Sequence, residues 1–339
     1  MTAPEPRDNP RLLGQHHAEG AIAEALSAGR VHHAWLLTGP PGIGKATLAY
    51  RFARRLLAGP GAGSGEGGLQ LDPAHPVFRR VAAGTHADLL SIERAWDDKR
   101  KRVRTEIVVD DVREVADFMR RTAAEGGWRA VVLDGAEHLN RNAANALLKV
   151  LEEPPPRAVL LLTCAAPGRL LPTIRSRCRR LRLGPLAAAD VALLLDVFLP
   201  ELDAAERGRL AAISEGSPGR AVQLAAEQGL AMAGLVQELL RGLPRLPPGR
   251  AVEVADRVAR TEGAYAAFMD LLLEGIGDAV RAAARGQAAT EAHRFVAARP
   301  LVEWAELWHA LGRLRDETER FNLDKRHAIV SGLAALNGP

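Results

Sequence analysis

The 339 residues, 47% hydrophobic and 25% charged with a net charge of +4, are ordinary for a globular chain with room for two or three cores. No stretch reaches the roughly 18 consecutive apolar residues of a membrane helix, and Pro4, Glu5, Pro6, Arg7 and Asp8 carry no apolar signal core. A cytoplasmic chain is expected, with its two cysteines, Cys164 and Cys178, reduced. The small positive charge suits a nucleic-acid or acidic-protein partner without requiring one.

In chain order, the first half alternates short apolar runs with amphipathic stretches, the pattern of a parallel sheet covered by helices. The predicted strands are Ala34–Thr38, Asp88–Ile92, Glu106–Val109, Ala130–Asp134, Val159–Thr163 and Arg180–Leu183. Helices are predicted over Lys45–Leu57, Val112–Ala123 and Ala143–Leu151. Gly59–Gly68 reads as a loop; no strand precedes its glycines, so they are no dinucleotide fingerprint. Strand signals stop after Gly184-Pro185-Leu186. Short helices follow around Ala187–Phe198 and Asp203–Ile213, and a third opens at Ser217-Pro218, where proline suits a first turn. From Leu230 to Asn337 the pattern is all helical, punctuated by Pro244, Pro247, Pro248 and Pro300. The expected organisation is an α/β P-loop domain over residues 1–184, a helical lid over 185–229 and an all-α domain over 230–339.

The strongest motif is Gly39-Pro40-Pro41-Gly42-Ile43-Gly44-Lys45, set between an apolar run and a helical pattern. Backbone amides of such a loop, with the helix N-terminus behind them, cradle an anion, and the lysine reaches the terminal phosphates. The next position calls for a hydroxyl to ligate magnesium, but holds Ala46. Thr47 is one residue on, about 100° around the helix, so its hydroxyl is expected to point elsewhere.

The run Arg129–Asp134 has the form of a Walker B strand, ending in an acid that holds magnesium. In hydrolysing members of the AAA+ class a glutamate follows to polarise water; here Gly135 follows, and Glu137 comes two residues later. With the metal hydroxyl and the water activator both missing, the site reads as non-hydrolysing and its magnesium site as compromised. Nucleotide, ATP or ADP, could still occupy a set comprising Gly39, Pro40, Pro41, Gly42, Ile43, Gly44, Lys45, Ala46 and Thr47, with Asp134 and Arg220.

The stretch Asn145-Ala146-Leu147-Leu148-Lys149-Val150-Leu151-Glu152-Glu153-Pro154-Pro155 places apolar residues at helical spacing and ends the helix at proline. Glu152 and Glu153 near its C-terminus and Arg141 near its start all oppose the helix dipole, at about 0.3–1 kcal/mol each. Either they are solvated, or they meet partners on a neighbouring subunit. About twenty residues on comes Thr173-Ile174-Arg175-Ser176-Arg177-Cys178. The combination strongly resembles the bacterial clamp-loader subunits, gamma/tau and delta-prime, over most of residues 9–228.

The resemblance implies an AAA+ fold with a helical lid and a helical collar. It implies that Arg177 is an arginine finger acting in trans on the γ-phosphate of ATP bound by the next subunit, a role suited to a permanently charged, forked guanidinium. It implies as partners the gamma/tau and delta subunits in a hetero-pentameric ring, and through that ring the sliding clamp and primed DNA. Lacking both hydrolysis residues but keeping the finger, the chain follows the delta-prime pattern, that of a stator. Many relatives carry a cysteine-ligated zinc module near the region of Gly59–His75. No cysteine stands there, so no zinc is expected, and His75 and His86 read as ordinary polar residues.

Gly216-Ser217-Pro218-Gly219-Arg220 resembles the sensor-2 segment, whose arginine faces nucleotide in its own subunit; a solvated arginine is the equal alternative. A sensor-1 polar residue near Thr163-Cys164-Ala165 is hard to place. Lys99–Arg104 reads as a solvated hairpin tip rather than a DNA contact, since no aromatic interleaves it. The competing reading of the whole is a hydrolysing motor using Lys45 and Asp134. A P-loop kinase is weaker, because it leaves Ser176-Arg177-Cys178 unexplained.

Overall fold

The computed structural model describes residues 4–64, 68–98, 101–260, 263–287 and 291–337. Residues 65–67 of the glycine-rich loop and Lys99 and Arg100 of the basic run lie outside them. The described residues form two compact units, Met1–Arg220 and Ala221–Pro339.

In the first unit the apolar runs become strands: β1 (Ala34–Thr38), β2 (Leu89–Ile92), β3 (Trp96–Asp97), β4 (Arg102–Val103), β5 (Arg129–Leu133), β6 (Ala158–Cys164) and β7 (Arg179–Arg182). Five of them make a parallel sheet in the order β2-β5-β6-β1-β7, and β3 and β4 form a separate antiparallel pair. Every residue of β5 and β6 is buried, as a sheet covered on both faces demands. From β1 the chain runs to the far edge at β2, returns through β5 and β6, and adds β7 on the other side of β1. The strand order reverses at β1, and in open α/β sheets ligands bind at the carboxyl ends of the strands beside such a reversal.

The helices of this unit are α1 (His16–Ser27), α2 (Lys45–Leu57), α3 (Pro76–Ala82), α4 (Val109–Arg120), α5 (Arg141–Glu152), α6 (Pro172–Arg177), α7 (Ala188–Phe198) and α8 (Ala204–Ile213); α9 (Pro218–Ala226) begins within it. Val112, Val115, Leu147, Val150 and Leu151 of α4 and α5 join Val131, Leu133, Leu160 and Leu162 of the sheet in one core. Arg54 of α2, 2% exposed, donates to the carbonyls of Arg7 and Asn9 at 3.0 Å each and lies over Phe78, which ties down the N-terminal segment. Burial pushes its guanidinium down to about 10.

One predicted strand is absent. Glu106–Val109 makes only a single bridge, Ile107 to Leu139. Ile107 is fully buried, which gives the segment its strand-like apolar signal, but Asp111 accepts the Val108 amide at 2.9 Å and the acidic first turn starts α4 at once. That helix therefore begins three residues before its predicted start at Val112.

In the second unit are α10 (Gly229–Gly242), α11 (Arg250–Ala259), α12 (Ala264–Ala284), a 3-10 segment Glu291–Ala298, α13 (Leu301–Phe321) and α14 (Lys325–Leu336). Helix α12 supplies Phe268, Leu272 and Ile276 to its core, facing Leu235, Val236 and Leu239 of α10. Helix α13 buries only Trp304, Leu311 and Thr318, a narrow seam spaced by seven residues. The indole of Trp304 donates to Val296 O at 3.1 Å, so this large side chain is buried without an orphaned N–H.

Candidate functional site

The loop between β1 and α2 carries the phosphate-loop motif, and its carbonyls are all engaged. Lys45 Nζ donates to Gly39 O at 2.9 Å and Pro40 O at 2.6 Å. Ser217 Oγ donates to Pro41 O at 2.9 Å and the Gly219 amide to Gly42 O at 3.0 Å. Gln15 Nε2 reaches Ile43 O at 3.4 Å, and the Leu48 amide closes the first turn of α2 on Gly44 O at 2.9 Å. Oxygens that would repel an anion thus point at donors, which suits the loop to phosphate.

Three glycines allow this path. Gly39, Gly42 and Gly44 have φ of 149°, 72° and 94°, and a Cβ on Gly42 would stand 2.4 Å from Ser217 Oγ. Gly42 and Gly219 therefore pack backbone to backbone, joining the start of α9 to the loop.

Lys45 is buried, and burial lowers its ammonium below the ordinary lysine value while Glu137, Asp134 and Cys164 oppose that shift. Asp134 follows β5 and accepts a hydrogen bond from the Thr163 hydroxyl, which itself accepts from the Gly135 amide at 2.9 Å. Thr163 lies in the segment where sequence reasoning sought a polar residue and did not place one; its signal is its position one strand away from Asp134.

Gly135 has φ 80°, and a Cβ there would lie 2.9 Å from His138 Cδ2. The backbone at the usual water-activator position is thus shaped for glycine, and the 3-10 turn Ala136–His138 follows. That turn swings Glu137 inward. One carboxylate oxygen accepts the Ala165 amide at 2.9 Å; the other is buried without a partner.

The residues fit a phosphate: loop amides and Lys45 are a phosphate-binding set, the Ala46 methyl offers no oxygen, and Asp134 accepts the Thr163 hydroxyl through Oδ1. Thr47 is buried, and Arg220 pairs with Glu215 at 3.4 Å. Among the described residues no group of three or more His, Cys, Asp or Glu could hold a metal. His75 caps α3 by accepting the Val77 amide, and His86 accepts the Asp88 amide.

Arg177 ends α6. Its Nη2 lies 2.8 Å from Glu152 Oε1 and its Nη1 donates to Thr173 O at 3.1 Å. Glu152, half exposed to solvent, also meets an arginine of its own chain. Cys178 and Cys164 are free and buried, and burial pushes both thiols up to about 12, with Glu137 adding to the shift at Cys164. In the β3–β4 pair Trp96 stands across from Val103, and both are exposed.

A parallel sheet whose strands, counted along the chain, run 5-1-4-3-2 from β7 to β2, with a phosphate loop after the first and an acid after the third, defines a P-loop α/β protein of the AAA+ type. The family described as DNA polymerase III, delta subunit, matches residues 14–187, just over half of the chain, and the chain belongs to that family. It is 43% identical over 193 residues to DNA polymerase III subunit delta-prime of Pseudomonas aeruginosa, covering 57% of this chain and 55% of that protein. It is 33% identical over 219 residues to DNA polymerase III subunit tau of Escherichia coli, covering 63% and 32%. The chain thus spans about half the length of the delta-prime relative and about a third of tau. A gamma subunit-related protein of DNA polymerase III from Thermotoga maritima superposes with a TM-score of 0.42 at 20% identity, over 95% of this chain and 98% of that one. Among the described residues, no helix is long and apolar enough to cross a membrane.

Proposed function

We propose that the chain is the delta-prime-type stator of a bacterial clamp loader, acting in the cytoplasm. In this reading residues 185–229 are a lid, and 230–339 a collar that holds the chain in a hetero-pentameric ring with gamma/tau and delta subunits. The ring places the sliding clamp on primed DNA. The chain's own phosphate loop holds ATP or ADP through Lys45 and the loop amides, or serves as scaffold, and does not hydrolyse. Arg177 donates to the γ-phosphate of ATP on the neighbouring subunit, where a fixed positive fork stabilises charge developing in the transition state.

The observation that carries this reading is the glycine-shaped backbone at Gly135 together with a partly exposed Arg177: a side chain at the water-activating position is strained by its φ and crowded by His138, while the finger position is kept. Arg177→Ala is expected to leave assembly intact and to slow hydrolysis at the neighbouring site by at least about 100-fold. The measurement is DNA-stimulated ATPase of the reconstituted complex, with the isolated chain alongside. Unchanged turnover by the complex sinks the finger.

A second reading, a hydrolysing motor, draws on the inward carboxylate of Glu137 with its one unpartnered oxygen. It requires magnesium-dependent turnover by the isolated chain, lost in both Lys45→Ala and Glu137→Gln.

A further inference from the structure

The geometry points to Glu152 as the positioning residue for the Arg177 guanidinium, an inference that rests on the finger reading above. The base of the arginine is fixed first: Ile174 and Cys178, on either side of it, are buried in the sheet core. Its side chain is then held from two elements. The α6 carbonyl of Thr173 takes Nη1 at 3.1 Å, and Glu152 Oε1, at the last residue of α5, takes Nη2 at 2.8 Å.

Two bonds to two different nitrogens set the plane of the fork. Of five guanidinium N–H groups, Nε–H and one on each terminal nitrogen are left for an incoming phosphate. The placement also explains an otherwise adverse choice. A carboxylate at the C-terminus of a helix opposes the dipole, and Arg177 supplies the counter-charge. Both side chains are partly exposed, at 36% and 49%, so the pair adds little to folding stability. What it supplies is orientation: a phosphate docking on Arg177 meets a fork already aligned rather than a mobile four-bond chain.

The test uses the full reconstituted complex and follows kcat and KM for ATP under DNA stimulation. Glu152→Ala is expected to lower kcat about 10-fold with KM little changed. Glu152→Gln, which keeps an acceptor oxygen, is expected to recover part of that loss. Added to Arg177→Ala, Glu152→Ala should bring no further decrease. A slow Arg177→Ala complex beside a Glu152→Ala complex at full speed overturns the positioning role alone. A further decrease in the double variant also overturns it, because Glu152 would then act elsewhere. If Arg177→Ala itself runs at the unsubstituted rate, the finger reading fails and this inference with it.

Discussion

Gly135 shows how one residue can be set by the backbone around it. Its φ of 80° lies where a side chain is strained, by about 1–2 kcal/mol for an L-residue, and its neighbour His138 fills the space a Cβ needs. Restoring the missing carboxylate is therefore not a matter of one substitution. Gly135→Glu is expected to lower stability by about that amount in denaturant unfolding and to leave the isolated chain without ATP turnover. A gain of magnesium-dependent hydrolysis would show that the backbone at this position tolerates a working carboxylate. Gly135 was legible in the sequence as a missing glutamate, but not as a backbone that excludes one. Glu137 was legible only as a nearby acid, because its direction depends on the 3-10 turn that follows the glycine.

At the scale of elements, α5 is where sequence and structure agree most closely. Asn140 caps it by accepting the Ala143 amide at 2.9 Å, its buried stripe faces the sheet, and it stops before Pro154. Asn140→Ala is expected to cost about 1 kcal/mol in urea unfolding. It should also blunt the ATPase of the complex if α5 carries the Glu152 end of the finger's support. A stability loss with full ATPase would separate cap from finger. The segment before α4 shows the opposite case. Ile107 and Val108 have strand chemistry, yet one bridge is all they form, because Asp110 and Asp111 favour a helix start directly behind them. Periodicity over four residues could not settle that competition. The β3–β4 pair is similar, since Trp96 is set opposite Val103 only by strand register.

For the whole molecule, the two units carry separate cores, one around the sheet and one around α12. Phe268 is fully buried in the second. Phe268→Ala should cost roughly 3–5 kcal/mol there. In scanning calorimetry the transition of residues 221–339 is expected to fall by roughly 10 °C or more while that of residues 1–220 keeps its temperature. A single transition moving as one would show that the units unfold together.

The sequence by itself determined the P-loop, the parallel sheet, the helical second half, and the loss of a hydroxyl at Ala46 and a carboxylate at Gly135. These are local patterns, written in spacing and residue type. Only the tertiary structure decided which groups meet: Thr163 with Asp134, Ser217 and Gly219 with the phosphate loop, and Glu152 with Arg177. Each of those pairs joins residues at least 25 positions apart. Their encounter is fixed by strand order and helix packing, which no run of neighbouring residues encodes.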